Sequence, residues 1–98
     1  MLNGRYAEAI DAYGQAIALD PANGDVNVTL YTNRATAKSK SGDMTGAIGD
    51  CNQALRINPR HIKALLRRAA AQLEGEDYTA AIADLEEAQG YTFTARTL

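Results

Sequence analysis

The stretch GDMTGAIGDCNQALRINP, residues 42–59, has two related stretches in the same chain. Residues 4–21, GRYAEAIDAYGQAIALDP, and residues 76–93, EDYTAAIADLEEAQGYTF, align with it without internal gaps. The matched positions are Ala9, Ala47 and Ala81; Ile10, Ile48 and Ile82; Ala16, Ala54 and Ala88. The interval between the last two stretches equals the period of about 34 residues that is typical of stacked helical pairs, and the first interval is slightly longer. The chain is therefore predicted to be a helical repeat protein.

Within each stretch the apolar residues recur at helical spacing. Ala9, Tyr13 and Ile17 fall on one helical face. Pro21 and Pro59 end helices, because the residue before a proline avoids the helical region. We predict five helices, at 6–19, 27–41, 45–57, 60–74 and 78–89, with Gly42 and Gly75 in turns and the four extra residues of the first interval in a loop around ANGDVN. The predicted fold class is all-α.

Composition limits the classes of function. The chain has 98 residues, 46% of them apolar, with no tryptophan and one phenylalanine, which favours one small domain of closely packed helices. Cys51 and His61 are the single cysteine and histidine, so we expect no internal disulfide, no structural zinc site and no cofactor. No segment has the roughly 20 consecutive apolar residues of a membrane span. The net charge is -2, yet residues 34–68 hold eight Lys and Arg against two acids, so the middle of the chain is cationic.

The period and the helix-turn-helix pattern resemble the tetratricopeptide repeat. The resemblance covers nearly the whole chain and implies a right-handed superhelix of antiparallel helix pairs, whose concave surface is lined by the first helix of each pair. It divides the chain into a partial repeat at 1–21, repeats at 26–59 and 60–93, and a tail at 94–98. Most of the N-terminal first helix is expected to be missing. The tail has weak helix propensity and is expected at most to begin a further helix.

Three polar residues are expected to converge on that concave surface. Asn33 and Arg67 are one repeat period apart and so occupy equivalent places, while Lys63 lies one turn before Arg67. An amide, an ammonium and a guanidinium together suit a carboxylate. The stretches LYTNRA (30–35) and KALLRRA (63–69) resemble part of the carboxylate clamp of chaperone-binding tetratricopeptide domains. The resemblance implies that Asn33 binds the terminal carboxylate of a peptide ending Glu-Glu-Val-Asp, and that Lys63 and Arg67 hold its other carboxylates and its backbone.

The resemblance implies a co-chaperone adaptor without catalysis. Its partner would be the acidic C-terminal peptide of a seventy- or ninety-kilodalton heat-shock chaperone, and stretches such as GAIGDCNQAL (46–55) are most similar to repeats of J-domain (DnaJ-type) co-chaperones. Weaker candidates are Arg34, Lys38, Lys40 and Arg68. Lys38 would add positive potential to the groove, with a surface role as the alternative, and the two arginines would lie along the helix packing. Two other interpretations stay open, a tetratricopeptide scaffold for another protein and a regulatory segment of a larger enzyme. For Lys63 and Arg67 the alternative is an ordinary solvated helix face.

The predicted partners are proteins. Nucleic acid is not expected, because the chain is acidic overall and lacks aromatic residues interleaved with its cations, and neither is a membrane. The first helix would leave Ala9, Tyr13 and Ala16 without a partner helix, which predicts self-association through that face or fraying of the helix. The expected compartment is the cytoplasm, with the lumen of the endoplasmic reticulum as the alternative. Cys51 is expected to be a small core residue rather than a nucleophile.

Overall fold

The computed structural model describes the backbone of residues 2–97 and the side chains of residues 5–92, and every regular element in this part is an α-helix. The helices are α1 (Leu2–Leu19), α2 (Gly24–Lys40), α3 (Met44–Ile57), α4 (Ile62–Glu74) and α5 (Tyr78–Thr97). Consecutive helices pack against each other, and α2 also contacts α4. We call α2 and α4 the inner helices and α1, α3 and α5 the outer helices. The predicted all-α superhelix of helical pairs is confirmed.

The longer first interval lengthens a helix rather than a loop. The α1–α2 and α3–α4 connections have the same length, 20–23 and 58–61, whereas α2 has 17 residues and α4 has 13. The extra residues form the first turn of α2. There the Asn23 side chain accepts a hydrogen bond from the Val26 backbone N at 3.3 Å and caps the helix. The predicted loop was wrong because this cap starts the helix before residue 27.

The last helix is also longer than expected. It was predicted to end at residue 89, but α5 continues to Thr97 and takes in most of the predicted tail. Pro21 and Pro59 follow α1 and α3, whereas the equivalent position of the third stretch is Phe93. A side-chain bond from Thr92 Oγ1 to the Ala88 carbonyl oxygen, 3.1 Å, lies on this extension. Without a proline the helix passes the expected end despite weak propensity. Helix α1 likewise begins earlier than expected, at Leu2.

Alanines form most of the buried core. Nine of the twelve buried apolar side chains among the described residues are alanines. Ala35, Ala47, Cys51 and Ala71 form a cluster that joins α2, α3 and α4. Small side chains let helices approach closely, but they offer few large groups that interlock and fix how each helix is rotated about its axis. Other contacts must therefore fix that rotation.

The turns that follow the two inner helices place different residues in the same backbone conformation. Gly42 has a φ of 96°, in the left-handed region where glycine has no steric penalty. Its equivalent one repeat later is Glu76, which has a φ of 61°. Gly75, the other glycine expected in a turn, lies there with a φ of -86°. The last turn therefore holds a non-glycine residue in a conformation that costs about 1–2 kcal/mol.

Candidate binding groove

A groove of about 260 Å³ lies against the inner helices, with walls from α1, α2 and α4. Its lining residues are Tyr6, Ala9, Tyr13, Asn33, Thr36, Ala37, Lys40, Lys63 and Arg67. The α1 wall is aromatic and apolar, while the walls from α2 and α4 carry the polar and cationic side chains. Asn33, Lys63 and Arg67, which the sequence predicts to converge, all lie in this lining.

The lining of the groove is cationic. Lys40, Lys63 and Arg67 carry positive charge, and no Asp or Glu belongs to the lining. The Lys63 Nζ donates a long hydrogen bond of 3.5 Å to Asn33 Oδ1, which links α4 to α2. Among the side chains of residues 5–92, none of the three cations forms an ion pair. Their charge is therefore available to an anionic ligand.

Lys38, one of the weaker sequence candidates, lies outside the groove lining. Its Nζ is 3.1 Å from Asp50 Oδ2, so it faces α3 and already has an anionic partner there. Lys40, another of the weaker candidates, lines the groove instead. Its place fits the helical spacing, because Lys40 lies about two helical turns after Asn33 and therefore shares its face.

Two arginines next to the groove residues are held by buried aspartates. The Arg34 guanidinium donates from Nε to Asp50 Oδ2 at 2.8 Å and from Nη2 to Asp50 Oδ1 at 2.7 Å. Arg68 repeats this arrangement, with Nε to Asp84 Oδ2 and Nη2 to Asp84 Oδ1, both at 2.7 Å. Asp50 is 4% and Asp84 5% exposed. These hydrogen bonds raise the pKa of both arginines above its usual value, so the guanidinium groups stay charged.

The aspartate partners were missed at the sequence level. Arg34 and Arg68 are one repeat period apart, as are Asp50 and Asp84, so the sequence separation within each pair is the same. A repeated pair of opposite charges at equal spacing was the available signal. The pairs separate Arg34 and Arg68 from the groove, because both guanidinium groups are directed at outer helices.

Cys51 and His61 do not belong to the groove lining. Cys51 is fully buried, and burial raises the pKa of its thiol to about 11, so the thiolate is scarcely populated at neutral pH. Burial, with a smaller effect of Lys63, lowers the pKa of His61. Within the described residues no group of three or more His, Cys, Asp or Glu side chains could hold a metal ion. Among the same residues no helix combines the length and the apolar character that a membrane span requires.

Comparison with known proteins identifies the repeats. Two models, both described as tetratricopeptide repeat, match residues 32–93 and residues 1–23. The chain belongs to the tetratricopeptide repeat family. The human DnaJ homolog subfamily C member 7 is 39% identical over 84 residues, which cover 86% of this chain and 17% of that protein. Human sperm-associated antigen 1 is 43% identical over 86 residues, 84% of this chain and 9% of that protein. The chain thus spans less than a fifth of the length of these tetratricopeptide relatives.

Solved tetratricopeptide domains have the same fold. The first such domain of Spaghetti (RPAP3), bound to the HSP90 peptide SRMEEVD, has a TM-score of 0.81 and 35% identity, over 90% of this chain and 67% of that one. The TPR2B domain of yeast Sti1, solved as a pHsp70 complex, has a TM-score of 0.84 and 29% identity, over 96% of this chain and 72% of that one. The predicted resemblance to co-chaperone tetratricopeptide modules is confirmed.

Proposed function

We propose that the chain is a non-catalytic co-chaperone module that binds the acidic C-terminal peptide of a heat-shock chaperone in the groove. The observation that carries the proposal is the convergence of Asn33, Lys63 and Arg67 in one cationic groove of this fold. The similar domain of Spaghetti was solved with an HSP90 peptide that ends in Glu-Val-Asp. We propose the cytoplasm as the compartment, where such a module would bring a chaperone to other proteins.

The chemistry of the groove fits a peptide with several carboxylates. Asn33 offers an amide donor to the terminal carboxylate, while Lys63 and Arg67 offer charge-assisted hydrogen bonds, which are stronger than neutral ones. We add Lys40 to these residues in place of Lys38, because Lys38 is already paired with Asp50 whereas Lys40 lines the groove. The apolar and aromatic wall from α1 would accommodate an apolar side chain of the peptide.

The direct test is calorimetric titration of the chain with a peptide that ends in Glu-Glu-Val-Asp. We expect micromolar affinity, about -7 to -8 kcal/mol. The control is the same peptide with an amidated C-terminus, which keeps the side chains but removes the terminal charge. Equal affinity for both peptides would contradict the carboxylate clamp and favour a scaffold for another protein partner.

Substitutions in the groove test the assigned residues. Arg67→Ala and Lys63→Ala should each weaken binding by about 1–3 kcal/mol, the range for losing a hydrogen bond to a charged group. Arg56→Ala on α3 is the matched control, because Arg56 is exposed and does not line the groove. Circular dichroism should show unchanged helix content in all three variants. If Arg56→Ala weakens binding as much as Arg67→Ala, net charge rather than the groove governs the affinity.

Salt provides a second check on the electrostatic contribution. Binding should weaken as salt rises, because an exposed groove is screened over about 10 Å at 0.1 M. Affinity that does not respond to salt would instead indicate that the apolar α1 wall dominates binding.

Self-association through α1 remains a prediction. Ala9, Tyr13 and Ala16 are half-buried, whereas Ala47, Ala54 and the other outer-helix equivalents of the two alanines are buried. Because Ala9 and Tyr13 also line the groove, a second copy on this face would compete with the peptide. Light scattering after gel filtration should show dimers that dissociate when peptide is added. A monomer at high concentration, with strong amide-exchange protection of α1, would contradict both self-association and fraying.

A further inference from the structure

We propose that Asp50 and Asp84 are positioning residues for the groove. Each aspartate holds the arginine that directly follows a groove residue, and so fixes the direction in which the inner helix presents that residue. Arg34 follows Asn33, and Arg68 follows Arg67. The inference rests on the proposed peptide-binding function, but it concerns side chains that lie outside the groove lining.

The same arginine–aspartate contact occurs twice. In both helical pairs an inner-helix arginine makes two parallel hydrogen bonds to an aspartate of the following outer helix, at 2.7–2.8 Å. A two-point contact between a planar guanidinium and a carboxylate is directional, unlike a single ammonium contact. Both carboxylates are nearly fully buried, so loss of the arginine would leave an uncompensated buried charge, which is strongly destabilising.

The buried apolar packing around these pairs is formed mostly by small side chains. Ala35, Ala47 and Ala71 form the buried cluster with Cys51, and the larger Met44 and Ile48 pack against it only partly buried. Small side chains interlock less than large ones and so restrict the rotation of a helix less. A rotation of about 20° moves a side-chain tip roughly 5–6 Å from the helix axis by about 2 Å, enough to break a hydrogen bond. The two-point contacts of Arg34 and Arg68 with the aspartates oppose this rotation.

Neighbouring residues on a helix have directions that depend on each other. Successive side chains point about 100° apart around the axis. With Arg34 directed at α3, Asn33 is turned toward the groove, and the same relation holds for Arg68 on α5 and Arg67. The two inner helices are also linked directly by the bond from Lys63 to Asn33. Rotation of either helix would therefore change the distances among the groove residues.

The sign of one substitution separates positioning from simple electrostatics. Asp84→Asn keeps the shape of the side chain but removes its charge and one of its two acceptor oxygens. If Asp84 acted only through its charge, its removal would make the region more positive and tighten binding of an acidic peptide. Positioning by Asp84 predicts the opposite, because Arg67 loses its fixed direction.

The experiment measures peptide affinity by calorimetry at a temperature where variant and wild type have equal helical signals. Asp84→Asn should weaken binding of the Glu-Glu-Val-Asp peptide about tenfold, a coupling typical of residues in contact. Glu86→Gln is the matched control, because Glu86 is an exposed carboxylate on the same helix. The control should leave affinity unchanged or slightly improved. Unchanged or tighter binding by Asp84→Asn would overturn the proposal.

A ligand-free measurement keeps this inference separate from the proposed function. The nuclear Overhauser effect between the side-chain amide protons of Asn33 and the side chain of Lys63 reports the contact between these two residues. It should weaken in Asp84→Asn and persist in Glu86→Gln. If the wild-type chain binds no acidic peptide, the proposed function fails, yet loss of this contact would still support positioning. A lower melting temperature with the contact intact would show that Asp84 only stabilises the fold, and would overturn the proposal. Arg68→Lys, which keeps the charge but not the two-point contact, serves if Asp84→Asn does not fold, with the same outcomes.

Discussion

The middle helical pair, α2–α3, and the last pair, α4–α5, contain the same arginine–aspartate contact in different surroundings. In the middle pair Asp50 also binds Lys38, 3.1 Å away, so two cations share one carboxylate. In the last pair the position of Lys38 is taken by Gln72, and Asp84 pairs with Arg68 alone among the described side chains. The middle aspartate therefore keeps a partner if its arginine is lost, and the last one does not.

The arginines of the two pairs also have different neighbours on the preceding outer helix. Arg68 Nη1 donates to Asn52 Oδ1 at 2.9 Å. The equivalent of Asn52 is Gly14, and a Cβ placed there would lie 3.2 Å from Arg34 Nη1. One arginine is held by an extra acceptor and the other by close packing. The two-point contact between arginine and aspartate is therefore common to both pairs, whereas the neighbours that hold the arginine differ.

The largest expected effect comes from removing each arginine. Arg68→Ala should lower the free energy of unfolding by about 3 kcal/mol, because it leaves the buried Asp84 without a cation. Arg34→Ala should cost about 1–2 kcal/mol, because Lys38 remains beside Asp50. Urea denaturation of the two variants measures the difference. Equal losses would mean that Lys38 does not compensate and that the two pairs are alike.

The second prediction concerns the covering of the outer helices. Cys51 is fully buried beneath α4, while its equivalent Leu85 on α5 is 40% exposed, with no described helix after it. Cys51→Leu should destabilise the chain by about 1–3 kcal/mol through overpacking. The reciprocal Leu85→Cys should cost less than about 1 kcal/mol, because the side chain is only partly buried. A reversed order in thermal unfolding would show that α5 is covered by something other than the described helices.

A smaller effect is expected at the two equivalent turns. Glu76→Gly should raise the unfolding free energy by up to about 1 kcal/mol, because glycine accepts a positive φ without strain. The matched Gly42→Glu should lower it by a similar amount, about 1 kcal/mol. Denaturation midpoints decide both. Destabilisation by Glu76→Gly would mean that the greater conformational entropy of glycine in the unfolded chain outweighs the strain relieved in the turn.

The smallest effect is a pH dependence from His61. Its folded pKa lies below the unfolded value of 6.5, so the unfolded chain binds the proton more readily. The contribution of neutral His61 is fully present above about pH 6.5 and is lost as pH falls through the lower folded pKa. His61→Gln, which does not titrate, should therefore lose less stability than wild type between about pH 7.5 and 5.5. Equal changes of melting temperature with pH for the two proteins would show that His61 binds the proton equally in the folded and unfolded states.

Much of the fold could be predicted because its signals are local. Pro21 and Pro59 end helices through their effect on the preceding residue, and the repeated alanines mark the faces that are buried. The errors lay where a competing local interaction was overlooked. Asn23 caps α2 and turns an expected loop into a helical turn, and the absence of a proline lets α5 continue.

The groove was only partly predictable from the sequence. Asn33, Lys63 and Arg67 were predicted to converge because a repeat period places equivalent residues on equivalent faces, and all three line the groove. Lys38 was preferred to Lys40, since both are lysines of one helix and differ only in the direction they face. That difference depends on Asp50, which lies on another helix.

The repeat, its period and the places of the equivalent residues follow from local features of the chain, because helix propensity, proline and apolar spacing act over a few residues. Which of the cations of α2 and α4 face the groove depends instead on how the helices pack. Arg34, Lys38 and Arg68 are turned to Asp50 and Asp84, while Lys40, Lys63 and Arg67 remain for a ligand. A sequence specifies the sign of a side-chain charge but not the direction in which the side chain points. That direction is set when a buried carboxylate on a neighbouring helix must be paired, and the cations that it does not bind are left facing the groove.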